Sequence, residues 1–527
     1  MPPQDERTPL REAIRLALIF AVIKFLIQFV GNLIAQHNGY GIFRDELYYI
    51  VCGRHPAFGY LDQPPGIAIQ ARITDTLFGH NNLALMRSLS ALAGAGKLFL
   101  TGIITYSLGG RRLAQFLAMT GVLCAGIYLG IDGYMSMNSF EPVFWMTCML
   151  AVIQIARGPD LKSPDPKTWW IIFGLSAGIG IENKHAEIFF LIALVIGIAL
   201  SPQRRILASR WTAVAVGIIF LCGLPNLLWQ IHYHFPTLQW LIDVDKTGKD
   251  VKLPPLPFMV NQIIFLGPLS IFIWLTGIIW LLIGKSAKPF RFAGITYLVF
   301  LVMMMTMHAK DYYLAPIYPV YFAGGGCAWE LLKLARRPRN ILVAAYSTIL
   351  ILGAAFFSPL SIPLLPPKRY IAFTKAIHFQ TSETENFQRG PLPQFYADMF
   401  GWQDMADEVA RVYNSLPPED RARAGIFCGN YGEAGAVDVL ARKYGIPTAI
   451  SGHQSYWFWG PRQYTGEIMV IASSGTLNQV LEVYSSAEIA GHVNNPYSMP
   501  YEHINIYIAR GRKQTYQQSW DEQKHWH

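Results

Sequence analysis

Five short stretches of this chain concentrate residues that can do acid–base and phosphate chemistry. Arg44-Asp45-Glu46-Leu47-Tyr48-Tyr49 comes first, and Gly59-Tyr60-Leu61-Asp62-Gln63-Pro64-Pro65 follows closely. Asn138-Ser139-Phe140-Glu141-Pro142, Glu182-Asn183-Lys184-His185 and His308-Ala309-Lys310-Asp311-Tyr312-Tyr313 complete the set. The carboxylates of Asp45, Glu46 and Glu141 can accept a proton from an attacking hydroxyl or amine. The ammonium groups of Lys184 and Lys310, with the phenols of Tyr312 and Tyr313, can hold a phosphate and stabilise it as it leaves. A base plus a phosphate clamp suits substitution at a carbon that bears a lipid-linked phosphate. One direct displacement inverts that carbon. No P-loop, zinc-helix motif or nucleophile elbow accompanies these residues.

The elements that must position them are membrane helices. Of 527 residues, 52% are hydrophobic and only 15% charged, where soluble domains carry about 25% charged residues. Long apolar runs cause the deficit. Spans are predicted near 12–36, 83–107, 113–130, 139–156, 168–182, 185–200, 211–229, 261–284, 292–307, 314–332 and 341–358, about eleven in all. One set of connections is short and basic: Arg111 and Arg112; Arg157, Lys162 and Lys167; Arg204, Arg205 and Arg210; Lys285, Lys288 and Arg291; Lys333, Arg336, Arg337 and Arg339. The positive-inside rule puts these loops, and the N-terminus, in the cytoplasm. Loops 37–82, 131–138, 230–260 and 308–313 then face outward, as does everything after about 358. The charged stretches gather on that outer side, where ionisable groups at a membrane border invite a functional reading.

The net charge of +9 follows the same topogenic pattern and forms no basic, aromatic-interleaved stripe, so nucleic acid is excluded as a partner. Six cysteines show neither metal-ligand nor paired spacing. Cys124, Cys148, Cys222 and Cys327 lie in apolar runs; Cys52 and Cys428 lie outside them, which leaves a pairing between those two open. The first apolar run is long enough to span and lacks a small-residue cleavage site, so no cleavable signal peptide is expected.

After Ser358 the composition changes. Helix signals near 394–415, an apolar run at Gly425–Cys428, a turn at Gly429–Gly432, a helix near 433–443 and a second strand at Gly445–Ile450 predict a small α/β domain. The proline-rich Ser361–Pro367 marks the junction. The expected organisation is an all-α polytopic membrane domain over 1–358, followed by an extracytoplasmic α/β domain over 359–527.

At these same residues the chain resembles the GT-C-fold glycosyltransferases, in particular the family of protein O-mannosyltransferases and aminoarabinose transferases. The acidic pair Asp45-Glu46, then the Tyr60-x-Asp62-x-Pro64-Pro65 turn, is similar to that family's hallmark. Lys310-Asp311-Tyr312-Tyr313-Leu314-Ala315-Pro316-Ile317-Tyr318-Pro319 is a second match, and Pro225-Asn226-Leu227-Leu228-Trp229-Gln230 a weaker third. The resemblance covers roughly 10–360. It implies that Asp45 is the catalytic base, supported by Glu46, and that Glu141 stands where the family more often has aspartate. It implies that Lys184 and Lys310 bind the carrier phosphate, with Arg44, Tyr60, Asp62, Tyr312 and Tyr313 also lining the lipid-phosphate and sugar site. The donor would be a polyprenyl-phosphate sugar; the acceptor would be a lipid, a glycan or a protein hydroxyl; the location would be the inner membrane. No dedicated metal cage is visible, and a divalent cation stays open because family members differ. The tail's Asn430-Tyr431-Gly432-Glu433-Ala434-Gly435 and Ser451-Gly452-His453-Gln454-Ser455-Tyr456-Trp457 are similar to extracytoplasmic domains of bacterial relatives.

Each residue also has a plainer role. Acids at a helix start favour the dipole, which covers Asp45 and Glu46. Asp62 beside two prolines suits loop support, and Glu141 before Pro142 suits a helix cap. Lys184 and Lys310 can snorkel, and Tyr312 and Tyr313 can belong to an aromatic belt. His185 and His308 read as boundary residues. His453 and Tyr456-Trp457-Phe458-Trp459 form either a sugar-stacking surface or a packed core. Two other functions compete: a transporter or flippase, disfavoured because no repeat is visible and the charges favour one face, and a membrane-anchored binding protein, which leaves the loop acids without a purpose.

Overall fold

The structure, a computed structural model, describes residues 9–157, 165–247, 251–380 and 388–526. Lys162 of the second basic loop lies outside the described residues. Every predicted apolar run forms helix. By length and hydropathy six helices among the described residues can cross a membrane: Leu10–His37, Ser88–Ser107, Met137–Arg157, Arg210–His232, Lys288–Thr306 and Arg336–Leu360. A seventh crossing follows if Pro255–Leu266 and Pro268–Ile283 are one span, bent by 98° at the break. The run predicted as 261–284 is therefore broken, at Gly267-Pro268, where proline cannot continue the backbone ladder. Arg112–Cys124 and Ala186–Ala199 are shorter apolar helices. Leu18, Val22, Leu26, Val216, Leu221 and Leu352 are exposed on these helices, an arrangement that suits lipid rather than water. The chain is an integral membrane protein.

Backbone contacts divide it into two compact units. One comprises Met1–Leu33, Ala84–Trp229 and Lys252–Leu364; the other comprises Ile34–Leu83, Gln230–Val251 and Leu365–His527. The last division falls between Leu364 and Leu365. More consequential for function, residues 34–83, which carry Asp45 and the Tyr60–Pro65 turn, cluster with the tail.

The first unit packs its helices through small residues. A Cβ on Gly325 would collide with the Ile273 carbonyl, and one on Gly277 with the Tyr321 carbonyl, so the helices Ile271–Ile283 and Tyr318–Glu330 meet backbone to backbone. Charge is buried here too. Lys24 and Lys97, each near the middle of its helix, straddle Asp132 at 3.1 and 2.8 Å, all three with no exposed side-chain surface. The Lys24 ammonium also donates to the Tyr128 carbonyl at 2.8 Å. Such a triad is tolerable only because every charge has a partner.

The second unit holds a five-stranded mixed sheet, in the order β2-β1-β3-β5-β4. The strands are β1 (Gly425–Cys428), β2 (Ala449–Ile450), β3 (Ile468–Ser473), β4 (Tyr484–Val493) and β5 (Ile504–Arg512). β1 pairs in parallel with β2 and β3, and β5 pairs antiparallel with β3 and β4. The predicted strand, helix, strand order is present, with the second strand shortened to Ala449–Ile450. The expected turn at 429–432 is a helix start. Asn430 Oδ1 accepts from the amides of Gly432 at 2.8 Å and Glu433 at 3.0 Å, and Glu433 Oε2 accepts from the Asn430 amide at 3.1 Å, closing a capping box. The helix Trp402–Ser415 packs on the same layer. Cys52 and Cys428 are buried free thiols.

Candidate functional site

The acidic pair opens the helix Arg44–Arg54, and its two members do different jobs. Glu46 is buried and turned back on its own helix: its Oε2 accepts from the Phe43 amide at 2.9 Å, satisfying an otherwise orphaned donor at the helix start. Asp45 points outward, with a third of its side chain exposed. Its Oδ1 accepts from the Tyr431 hydroxyl at 2.7 Å and lies 3.8 Å from Arg44 Nε. Oδ2 has no hydrogen-bond partner among the described residues. A carboxylate fixed by one oxygen and open at the other has the geometry of a general base.

Arg44 anchors this helix to the tail. It donates to Tyr501 Oη at 2.8 Å, pairs with Asp398 at 3.8 Å and lies 5.3 Å from the centre of the Tyr431 ring. Burial lowers the Arg44 guanidinium, but Asp398, Tyr431, Tyr501 and Asp45 outweigh it and hold the group charged. Close approach requires glycine here. A Cβ on Gly432 would lie 2.6 Å from Arg44 Cγ, and one on Gly435 would lie 3.0 Å from Leu47 Cβ. The two glycines let the helix Tyr431–Leu440 settle against Arg44–Arg54.

The Tyr60–Pro65 turn completes the acidic loop from within. The Tyr60 hydroxyl donates to the carbonyl of Cys52 at 2.8 Å, with that of His55 at 3.0 Å, and thereby closes the end of the helix. Asp62 Oδ1 accepts from the Tyr48 hydroxyl at 3.0 Å, and Ser455 Oγ lies 2.7 Å from the same hydroxyl. Tyr60 and Asp62 thus sit in the packing of the loop. The aromatic run of the tail is mixed: Tyr456 is buried, donating to Asp438 at 3.1 Å, while Trp459 stacks on His55 at 4.3 Å.

Behind Arg44 lies a pair of buried carboxyls, Glu433 and Glu502. Burial raises both. Glu502 adds to the rise of Glu433, while Glu502 itself is held to about 7 against the opposing pull of Arg44. The native state then binds more protons than the unfolded chain between the ordinary glutamate range, about 4.3, and about 7. Stability contributed by Glu502 is full at the acid end and lost as pH rises through that window. Thermal unfolding from pH 7.5 to 5.0 is expected to show a rising midpoint, and Glu502→Gln to flatten the trend. An unaltered slope in that variant would remove Glu502 as its source.

The second cluster belongs to the first unit. Lys184 follows the helix Pro166–Asn183 and its ammonium donates to Asn138 Oδ1 at 2.8 Å and Glu141 Oε2 at 2.9 Å. It faces the rings of Tyr313 at 4.4 Å and Tyr312 at 5.7 Å. Glu141 is buried, and its Oε1 lacks a hydrogen-bond partner among the described residues. Glu141 therefore serves here as the partner of Lys184. Lys310 is half-buried at the start of the turn Asp311–Ile317. Asp311 is buried beside it, its Oδ2 accepting from Asn261 at 2.6 Å; burial raises its carboxyl despite the help of Asn261. The cluster gathers Glu141, Lys184, Tyr312 and Tyr313 into one cation–aromatic nest.

Asp398 and Tyr501 had no place in the sequence reading, and Tyr431 and Ser455 entered it only within the two tail stretches similar to bacterial relatives, with no individual role. The local signals for Tyr431 are a capping asparagine before it and two spaced glycines after it.

The helices and the sheet make a polytopic membrane protein with a small α/β domain. Residues 62–229 match the model of the dolichyl-phosphate-mannose-protein mannosyltransferase family, a stretch that includes Glu141 and Lys184 but neither Asp45 nor Lys310. The lipid A galacturonosyltransferase RgtD of Rhizobium johnstonii is 24% identical over 252 residues, 46% of this chain and 50% of RgtD. The match thus spans about half the length of that curated relative. The structure of ArnT from Cupriavidus metallidurans bound to undecaprenyl phosphate superposes with a TM-score of 0.61 at 13% identity, over 93% of this chain and 97% of ArnT. The mycobacterial arabinofuranosyltransferase AftD superposes with a TM-score of 0.54 at 12% identity, over 94% of this chain and 40% of AftD. The chain has the GT-C fold of these membrane glycosyltransferases.

Proposed function

We propose that this protein is an inverting membrane glycosyltransferase. It takes a sugar from a polyprenyl-phosphate donor and passes it to a lipid, glycan or protein acceptor on the outer side of the inner membrane. In this reading the N-terminus is cytoplasmic, the eleven apolar runs cross or enter the membrane, and the α/β domain lies outside. The observation that carries the proposal is the Asp45 carboxylate, held through Oδ1 and open at Oδ2. The likeness to RgtD and to the ArnT fold supports the donor class.

The acceptor hydroxyl attacks the anomeric carbon while Asp45 Oδ2 takes its proton. The bond from that carbon to the phosphate oxygen breaks, and its electron pair leaves with the polyprenyl phosphate. Lys184 and Lys310 stabilise that charge, with Tyr312 and Tyr313 as hydrogen-bond donors.

The stereochemistry tests the reaction. The product linkage should have the opposite anomeric configuration to the donor; a retained configuration would overturn the single displacement. Lys310→Ala is expected to weaken donor binding about tenfold or more, on the scale of one charge-assisted hydrogen bond. Titration of the purified variant with undecaprenyl phosphate checks this, and unchanged affinity would remove Lys310 from the phosphate site.

A further inference from the structure

The α/β domain has no role in the proposed reaction, yet it supplies a hydroxyl bonded to the proposed base. We propose that Tyr431 is a positioning residue: it donates to Asp45 Oδ1 and aims Oδ2 at the acceptor. This inference rests on the reading of Asp45 as base.

Three observations build it. The Tyr431 hydroxyl lies 2.7 Å from Asp45 Oδ1. Burial holds the phenol well above its usual range, with the Asp45 carboxylate adding to the effect and Arg44 opposing it, so the hydroxyl stays a donor. The ring is fixed on all sides: Tyr48 lies 5.0 Å away, His453 lies 5.1 Å away with its Nδ1 accepting from the Tyr431 amide at 3.3 Å, and Arg44 covers a face. The charged and titratable groups around the pair are Arg44 on the helix of Asp45, Tyr48 one turn on, His453 on the following loop, and Asp398 behind Arg44. Only Tyr431 and Arg44 reach Asp45 itself among the described residues. A donor held this rigidly fixes the carboxylate before substrate arrives.

The test needs no known sugar. Infrared difference spectroscopy of the full-length protein in nanodiscs, wild type minus Asp45→Asn, isolates the carboxylate stretching band of Asp45. In Tyr431→Phe, which keeps the ring packing, that band is expected to shift in frequency because Oδ1 loses its donor. Ser455→Ala breaks a different contact of the same domain and is expected to leave the band in place. With a sugar donor, Tyr431→Phe should lower kcat about ten- to hundredfold at unchanged KM. An unmoved band in Tyr431→Phe, or an equal shift in Ser455→Ala, would overturn the inference. Full transfer by Asp45→Asn would instead sink the base assignment, whatever the band does.

Discussion

Asp45→Asn is expected to lower kcat by about 10²–10⁴-fold, the usual contribution of a positioned base. The amide is isosteric and its oxygen can still accept from Tyr431, so the contact between the helices Arg44–Arg54 and Tyr431–Leu440 survives. What disappears is the ability to take a proton. The stability cost should stay within about 1 kcal/mol, the value of one acid at a helix start. Initial rates and thermal unfolding on the same preparation separate the two effects. Near-normal turnover would transfer the base role elsewhere, and Glu46 is a poor heir because its carboxylate already closes its own helix. Glu141 would then be the next carboxylate to replace.

The second large effect is expected at Lys184. Lys184→Ala strips Glu141 of its cation and leaves a buried carboxylate whose other oxygen already lacks a partner. Breaking such a pair typically costs about 3–5 kcal/mol. The double variant Lys184→Ala/Glu141→Gln is expected to recover most of that stability, because the uncompensated charge is gone. It should not recover binding of undecaprenyl phosphate, which needs the ammonium. A double-mutant cycle on thermal unfolding reads the coupling. If the single variant were as stable as wild type, the pair would contribute nothing. If the double variant bound the phosphate normally, Lys184 would have no place in the clamp.

The membrane helices were legible because an apolar run of spanning length is rarely anything but a membrane helix. Their breaks were less so: Gly267-Pro268 lies inside a run that reads as continuous, and its sharp bend depends on packing. Of the sheet only β1 and β2 were legible; β4 is an edge strand with a largely exposed pattern, and β3 and β5 take their places through pairings between segments distant from β1 and β2. Lys24 and Lys97 were passed over in the sequence, where the charges read as gathered at one face; what the two lysines do depends on Asp132, more than thirty residues from the nearer of them. The candidate site divides the same way. Asp45, Lys184, Tyr312 and Tyr313 announce themselves by type and motif. Separating Asp45 from Glu46 required knowing which carboxylate turns back on the helix. Tyr431 was hidden because 386 residues separate it from Asp45, and no local pattern encodes so distant a bond.

The central claim meets its most direct test in one assay. Membranes carrying wild type or Asp45→Asn are incubated with a panel of radiolabelled polyprenyl-phosphate sugars, and transfer of label is counted. Transfer by wild type with loss in Asp45→Asn is the predicted result, and it also names the sugar. No transfer by folded wild type across a broad panel would contradict the glycosyltransferase reading and turn attention to transport or binding.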